Sequence, residues 1–140
     1  MMRDLTRDEI DELLGSQAVG RIGCHAGGST YVVPVIYALA DGCAYVASLE
    51  GRKIRMMREN PDVCFEVDEY DGAGSWRSAI AQGVYEELGP AEAEEALAIL
   101  AERFPGAGGE RAQRSRAGDG PPMVCFRIRL REVTGRAAER

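Results

Sequence analysis

Tyr31-Val32-Val33-Pro34-Val35-Ile36-Tyr37-Ala38-Leu39-Ala40-Asp41-Gly42-Cys43-Ala44-Tyr45-Val46-Ala47-Ser48 is the stretch on which the fold turns. Residues 31–40 are rich in β-branched and aromatic side chains, which suit a pleated, half-buried surface. Asp41-Gly42 is a two-residue hairpin signal, because both positions tolerate the positive φ of a tight primed turn. Residues 43–48 are therefore expected to run back antiparallel. Pro34 lacks the N–H that a central strand must donate, which confines it to a sheet edge or a bulge.

Strand signals continue on both sides. Residues 19–24 read as a short strand leading into a loop at Gly27-Gly28. Downstream, residues 51–60 predict a short helix with Ile54 and Met57 on one face, ended at Asn60-Pro61. Val63, Phe65 and Val67 alternate with Cys64, Glu66 and Asp68, a period-two strand with one face on a core. After the turn at Asp71-Gly72-Ala73-Gly74, residues 75–88 predict a long strand bent at Gly83. Near the C-terminus Phe126, Ile128 and Leu130 face inward, while Arg127, Arg129 and Arg131 face water.

Helices flank this β region. Thr6 and Glu9 form a capping box with Leu5 and Ile10 as its hydrophobic staple. This predicts a helix over 5–14, with Ile10, Leu13 and Leu14 on its apolar face and Gly15 as its stop. Residues 92–104 return to helical spacing, with Ala93, Leu97, Leu100, Ala101 and Phe104 on one side. Residues 105–122 hold almost no large apolar side chain and read as a mobile surface loop. Six mostly sequential antiparallel strands with two or three peripheral helices favour closure into a small barrel, which removes exposed edges. The expected architecture is one mainly β domain spanning 1–140.

Composition narrows the function. The 140 residues are 45% hydrophobic and 29% charged, the mixture of a globular chain, with a net charge of −6. That acidity argues against nucleic acid or an anionic membrane as main partner, since both reward a basic face. No apolar run approaches the ~20 residues of a membrane span. The acidic N-terminus lacks the pattern of a secretory signal, so a cytoplasmic location is expected. Cys24, Cys43, Cys64 and Cys125 form no Cys-x-x-Cys pair and read as buried thiols that behave as small hydrophobes. His25 is the only histidine, beside a glycine turn, which argues against histidine-based nucleophilic catalysis and against a zinc site.

One corner survives this pruning. Ser48-Leu49-Glu50-Gly51-Arg52-Lys53-Ile54-Arg55 passes from a strand end over glycine into a helix start. There, free N–H groups and the positive end of the helix dipole favour an anion. Arg52 brings a planar fork, Lys53 a compact charge and Ser48 a hydroxyl. Lys53 is also the only lysine in the chain. The same segment, with Arg55 and Arg58, equally fits a solvated basic helix face. Trp76-Arg77-Ser78 places the only tryptophan beside a cation and a hydroxyl, as a ligand wall or as ordinary packing.

Val19-Gly20-Arg21-Ile22-Gly23, residues 31–35, residues 44–48, Gly51-Arg52-Lys53, residues 60–68 and Trp76-Arg77-Ser78 occur in this order. The set resembles the pyridoxamine 5′-phosphate oxidase-like, FMN-binding split-barrel superfamily, and most of all its 5-nitroimidazole-reductase-related branch. The resemblance implies a six-stranded antiparallel split barrel, dimeric, with FMN in clefts between protomers. It places Val33, Pro34 and Val35 along the flavin ring through main chain, and Ser48, Arg52 and Lys53 on the FMN phosphate. Trp76, Arg77 and Ser78 approach the flavin from the neighbouring strand or from the partner. Arg21 matches a recurrent arginine of the family. Ala47 stands where nitroimidazole-reductase relatives often carry histidine, and nothing after Leu130 resembles the substrate segment of the vitamin B6 oxidases.

The expected function is an FMN-dependent oxidoreductase of a small molecule that draws electrons from NAD(P)H. Its alternatives are a flavin carrier or sensor without turnover, or a member of the same fold that binds deazaflavin or haem.

Overall fold

The computed structural model describes residues 1–106, 118 and 122–139, so the expected mobile loop over 105–122 lies for the most part outside the described residues. A short strand β1 (Met2–Asp4) precedes helix α1 (Arg7–Ser16). Strands β2 (Val19–Ala26), β3 (Ser29–Ile36), β4 (Ala38–Ala40) and β5 (Cys43–Leu49) lead to helix α2 (Arg52–Glu59). Then come β6 (Asp62–Tyr70), β7 (Trp76–Glu87), helix α3 (Pro90–Arg103) and the long β8 (Met123–Ala138).

All pairings are antiparallel, in the order β3-β2-β6-β7-β8-β5-β4, with β1 added against β8. The six principal strands are those expected; β1 and β4 are additions too short to show a period. Asp41 and Gly42 take φ of 50° and 72°, the left-handed pair a two-residue hairpin requires. Pro34 sits on β3, an outer strand, where the ladder does not need its missing donor.

Residues 31–40 are two strands rather than one. At Tyr37 the chain leaves β3 and begins β4 at the opposite end of the sheet order. Tyr37 is buried; its N–H donates to the Ala18 carbonyl at 3.2 Å and its hydroxyl donates to the Leu14 carbonyl, both at the exit of α1. A buried phenol must keep a partner, and this one ties the helix to the point where the barrel divides.

In the capping box, the Glu9 N–H donates to Thr6 Oγ1 at 3.2 Å and the Thr6 N–H to Glu9 Oε1 at 2.9 Å. Leu5, Ile10, Leu13 and Leu14 are buried as expected. The helix runs through Gly15 to Ser16, because Gly15 does not adopt the left-handed φ of a helix stop.

Ile22, Phe65, Val67, Phe126 and Ile128 are fully buried at the centre of the barrel. The bend in β7 is a bulge between Ala81 and Gly83. A Cβ on Gly83 would come within 2.5 Å of Ile128 Cγ2, so the close crossing there needs glycine.

Helix α3 covers a second, smaller cluster of Cys43, Tyr45, Ala96 and Cys125. Its contact face centres on Ala96 with Ile99 and with Ala93 and Leu97 of the face read from spacing, whereas Ala101 of that face is exposed. Small residues on β5 and β8 let the helix approach closely, and that approach selects Ala96. Cys24, Cys43 and Cys125 are buried thiols, whereas Cys64 is half-buried because it shares the outer face of β6 with Glu66 and Asp68. Among the described residues no helix is long and apolar enough to cross a membrane.

Candidate functional site

Helix α2 begins without a side-chain cap. Its N-cap is Gly51, whose backbone is extended and whose missing Cβ would meet nothing within 4 Å. Neither strain nor crowding calls for glycine there; its effect is to leave the first-turn N–H groups open. No acidic residue occupies that turn, and Arg52 and Lys53 do. Cations at a helix N-terminus oppose the dipole, so the helix start is poorly satisfied by its own chain and suited to an anion.

Among the described residues Arg52 and Lys53 have no carboxylate partner. The Arg52 guanidinium lies 4.6 Å from the centroid of the Tyr31 ring, a cation–π contact that joins α2 to the start of β3. The half-buried Lys53 ammonium has its pKa lowered by burial, a cost that a bound anion would offset. Ser48, half-buried at the end of β5, donates its hydroxyl to the Leu49 carbonyl at 3.0 Å. Ser48, Arg52 and Lys53 thus belong to one end of the barrel, with Tyr31 added by tertiary contact.

Val33, Pro34 and Val35 follow Tyr31 along the outer strand. Val35 is buried and Val33 half-buried, whereas Pro34 points outward between the exposed Val32 and Ile36. Across the sheet Val19 pairs with Ile36 and extends this exposed apolar surface, whereas the exposed Ile80 is separated from Pro34 by Arg21 and Glu66.

Trp76, Arg77 and Ser78 lie elsewhere. Ser48 pairs with Val124 on β8, and Trp76 pairs with Ala138 near the other end of the same strand. At about 3.3 Å per residue that is on the order of 45 Å of strand contour. Trp76 and Arg77 line an open cleft of about 470 Å³ with Glu69, Tyr70, Asp71 and Glu139. Arg77 is committed to Glu69 at 2.8 Å and Glu12 at 3.4 Å. Ser48 and Trp76 therefore meet β8 near its opposite ends, and among the described residues no hydrogen bond or ion pair joins Trp76, Arg77 and Ser78 to Ser48, Arg52 or Lys53.

Sequence reasoning left Arg21 without a contact and did not single out its partners. Arg21 Nη1 is 2.8 Å from Asp68 Oδ2 and 3.3 Å from Glu66 Oε1, on the outer face beside Pro34. The period-two alternation of β6 put both acids on one face; only the pairing of β2 with β6 puts Arg21 between them. Burial, followed by the neighbouring Asp68, raises Glu66 from its ordinary 4.5 to about 7, and Arg21 pulls the other way. Between those values the folded chain holds more protons than the unfolded one, so stability falls as pH rises through this window. Glu66→Gln is expected to remove that slope, on the order of 1 kcal/mol for so solvated a carboxylate. Urea melts at pH 5 and pH 8 test it; an unchanged slope in the variant would clear Glu66 of the effect.

His25 is an exposed residue near the end of β2, paired with Thr30 on β3, and its Nδ1 lies 2.9 Å from Thr30 Oγ1. Glu86 and Glu87 alternate across β7: Glu86 binds Arg127 and Arg129, and Glu87 binds Arg58.

The sequence profile of the family described as pyridoxamine 5′-phosphate oxidase matches residues 6–137. An uncharacterised protein of Rhizobium meliloti is 30% identical over 146 residues, spanning 98% of this chain and 95% of that relative. Among solved structures, an FAD-binding protein of Mesorhizobium loti is similar with a TM-score of 0.79 at 34% identity, over 99% of each chain. A protein provisionally assigned to 5-nitroimidazole antibiotic resistance in Bacteroides thetaiotaomicron has a TM-score of 0.74 at 21% identity, over 99% of this chain and 93% of its own, a likeness of fold.

Proposed function

From the premise that this chain belongs to the pyridoxamine 5′-phosphate oxidase family, we propose that it is a homodimeric flavoprotein. It binds FMN and reduces a small molecule with electrons from NAD(P)H. The observation that carries this reading is the uncapped start of α2, where Arg52 and the half-buried Lys53 lack carboxylate partners among the described residues. A terminal phosphate dianion suits two cations and a row of open N–H groups. The 34%-identical relative described as FAD-binding supports a flavin.

In this reading Arg52, Lys53 and Ser48 hold the phosphate. Tyr31, Val33 and Val35 set the position of the ring system along β3, and the free side of that outer strand offers main-chain N–H and C=O groups to its polar edge. The flavin, when bound, supplies the hydride and electron chemistry. Glu50, the carboxylate that borders the corner, is paired with Arg58, so the contribution of the described residues here is binding, orientation and exclusion of water.

Two features support a second copy. Trp76–Ser78 and Ser48 meet β8 near opposite ends, which favours Trp76–Ser78 bordering the flavin from another protomer. The exposed Val19, Val32 and Ile36 form an apolar patch on β2 and β3 that a partner would cover.

An absorbance spectrum of the purified protein tests the cofactor: bands near those of oxidised flavin are expected. Acid release followed by mass measurement separates FMN from FAD and from a deazaflavin. Bleaching by NAD(P)H, reversed by an acceptor, supports turnover; a flavin that never cycles makes the protein a carrier. A colourless protein that ignores added FMN rejects the reading.

A further inference from the structure

Glu50 is misplaced for a phosphate site. It stands immediately before Gly51 and two residues before Arg52, so a swinging carboxylate there could occupy the helix N-terminus in the phosphate's stead. The structure holds it elsewhere. Arg58, in the last turn of α2, reaches back along the helix and places Nη1 2.8 Å from Glu50 Oε1. The same guanidinium is fixed from the other side by Glu87 at 2.7 Å and 3.0 Å, in a bidentate pair. Glu87 in turn accepts from the Tyr85 hydroxyl at 2.8 Å, and the Tyr85 ring is buried against Phe126. The chain of contacts therefore runs from the barrel core to the residue that borders the corner.

We propose that Arg58 is a positioning residue that makes the corner selective for a phosphorylated ligand, by holding the Glu50 carboxylate away from the start of α2. This inference rests on the phosphate reading above and goes beyond it. It concerns discrimination between the phosphorylated and unphosphorylated cofactor, and it works through removal of a competing anion rather than through direct contact. A purely structural role, with Arg58 favouring the helix C-terminus, would leave that discrimination alone.

The test compares FMN with riboflavin by fluorescence titration of the full chain. Arg58→Ala is expected to weaken FMN about ten- to a hundredfold, the scale of one charge-assisted contact, and to leave riboflavin within about threefold. Adding Glu50→Gln to that variant removes the released charge and restores FMN to within about threefold of wild type. Glu50→Gln alone, which does not depend on the stability of the Arg58 variant, binds FMN at least as tightly as wild type. Equal losses of FMN and riboflavin in Arg58→Ala, no rescue in the double variant, or weaker FMN binding by Glu50→Gln would each overturn the proposal while wild-type binding stands. A wild-type chain that binds neither flavin removes the phosphate reading itself, and this inference with it.

Discussion

Replacing Arg52 and Lys53 together by alanine is expected to weaken FMN binding by about 3–6 kcal/mol, two charge-assisted contacts at roughly 1.5–3 kcal/mol each. The fold should survive. Arg52 is exposed, Lys53 is half-buried, and neither carries an ion pair among the described residues. Removing two cations from a helix start relieves an unfavourable dipole interaction, which offsets the lost Arg52–Tyr31 cation–π contact, so the apo double variant should melt close to wild type. Loss of binding without loss of stability separates a ligand site from a structural element. Equilibrium titration with FMN and a thermal melt decide it, and unchanged affinity would take both residues out of the site. Burial of Lys53 adds a pH signature. Its pKa lies below the ordinary lysine value, so its share of phosphate binding fades at lower pH than a solvated lysine would allow. Lys53→Arg should flatten that decline.

Phe65→Ala is the second large effect, a loss of about 3–5 kcal/mol in folding stability. The ring is fully buried and meets Tyr37 edge-on, with centroids 4.9 Å apart. Tyr37 in turn anchors the exit of α1 at the division between β3 and β4, so the cavity would open beneath the joint of the barrel. Gly20 is the other wall: a Cβ there would stand 2.3 Å from Phe65 Cζ. Gly20→Ala should therefore cost about 1–3 kcal/mol by overpacking. Gly20→Ala combined with Phe65→Leu should cost less than the sum, because the smaller side chain vacates the space the methyl needs. Urea denaturation of the four proteins measures the coupling. A Phe65→Ala variant within about 1 kcal/mol of wild type would mean that the site collapses on truncation, against the packing described.

Elements carried by neighbouring residues were legible in the chain. Val63, Phe65 and Val67 announced their burial by alternation, Asp41-Gly42 its turn by φ tolerance, and Thr6 with Glu9 their reciprocal cap by spacing. Each rests on bonds spanning a few positions, where propensity and periodicity act directly. Pro34 restricted its strand to an edge or a bulge, because a missing donor is tolerated there, and the fold chose the edge. Legibility ended wherever distant segments had to meet. Nothing in residues 31–40 marks the break at Tyr37, which is set by carbonyls at the exit of α1. The spacing of α3 favoured Ala101 until docking on β5 and β8 selected Ala96.

The candidate site divides along the same line. Glycine followed by Arg52 and Lys53 at a helix start is a property of consecutive residues, and the chain alone allowed an anion site there as readily as a solvated basic face. Which cations stay available was decided only by the tertiary structure. Arg21, Arg58 and Arg77 resemble Arg52 in the sequence, yet each is neutralised by carboxylates that include at least one from another element of the fold. Charges pair through space, and folding sets the distances that choose the pairs. The placement of Trp76 at the far end of β8 from Ser48 follows from strand register, which no local pattern encodes.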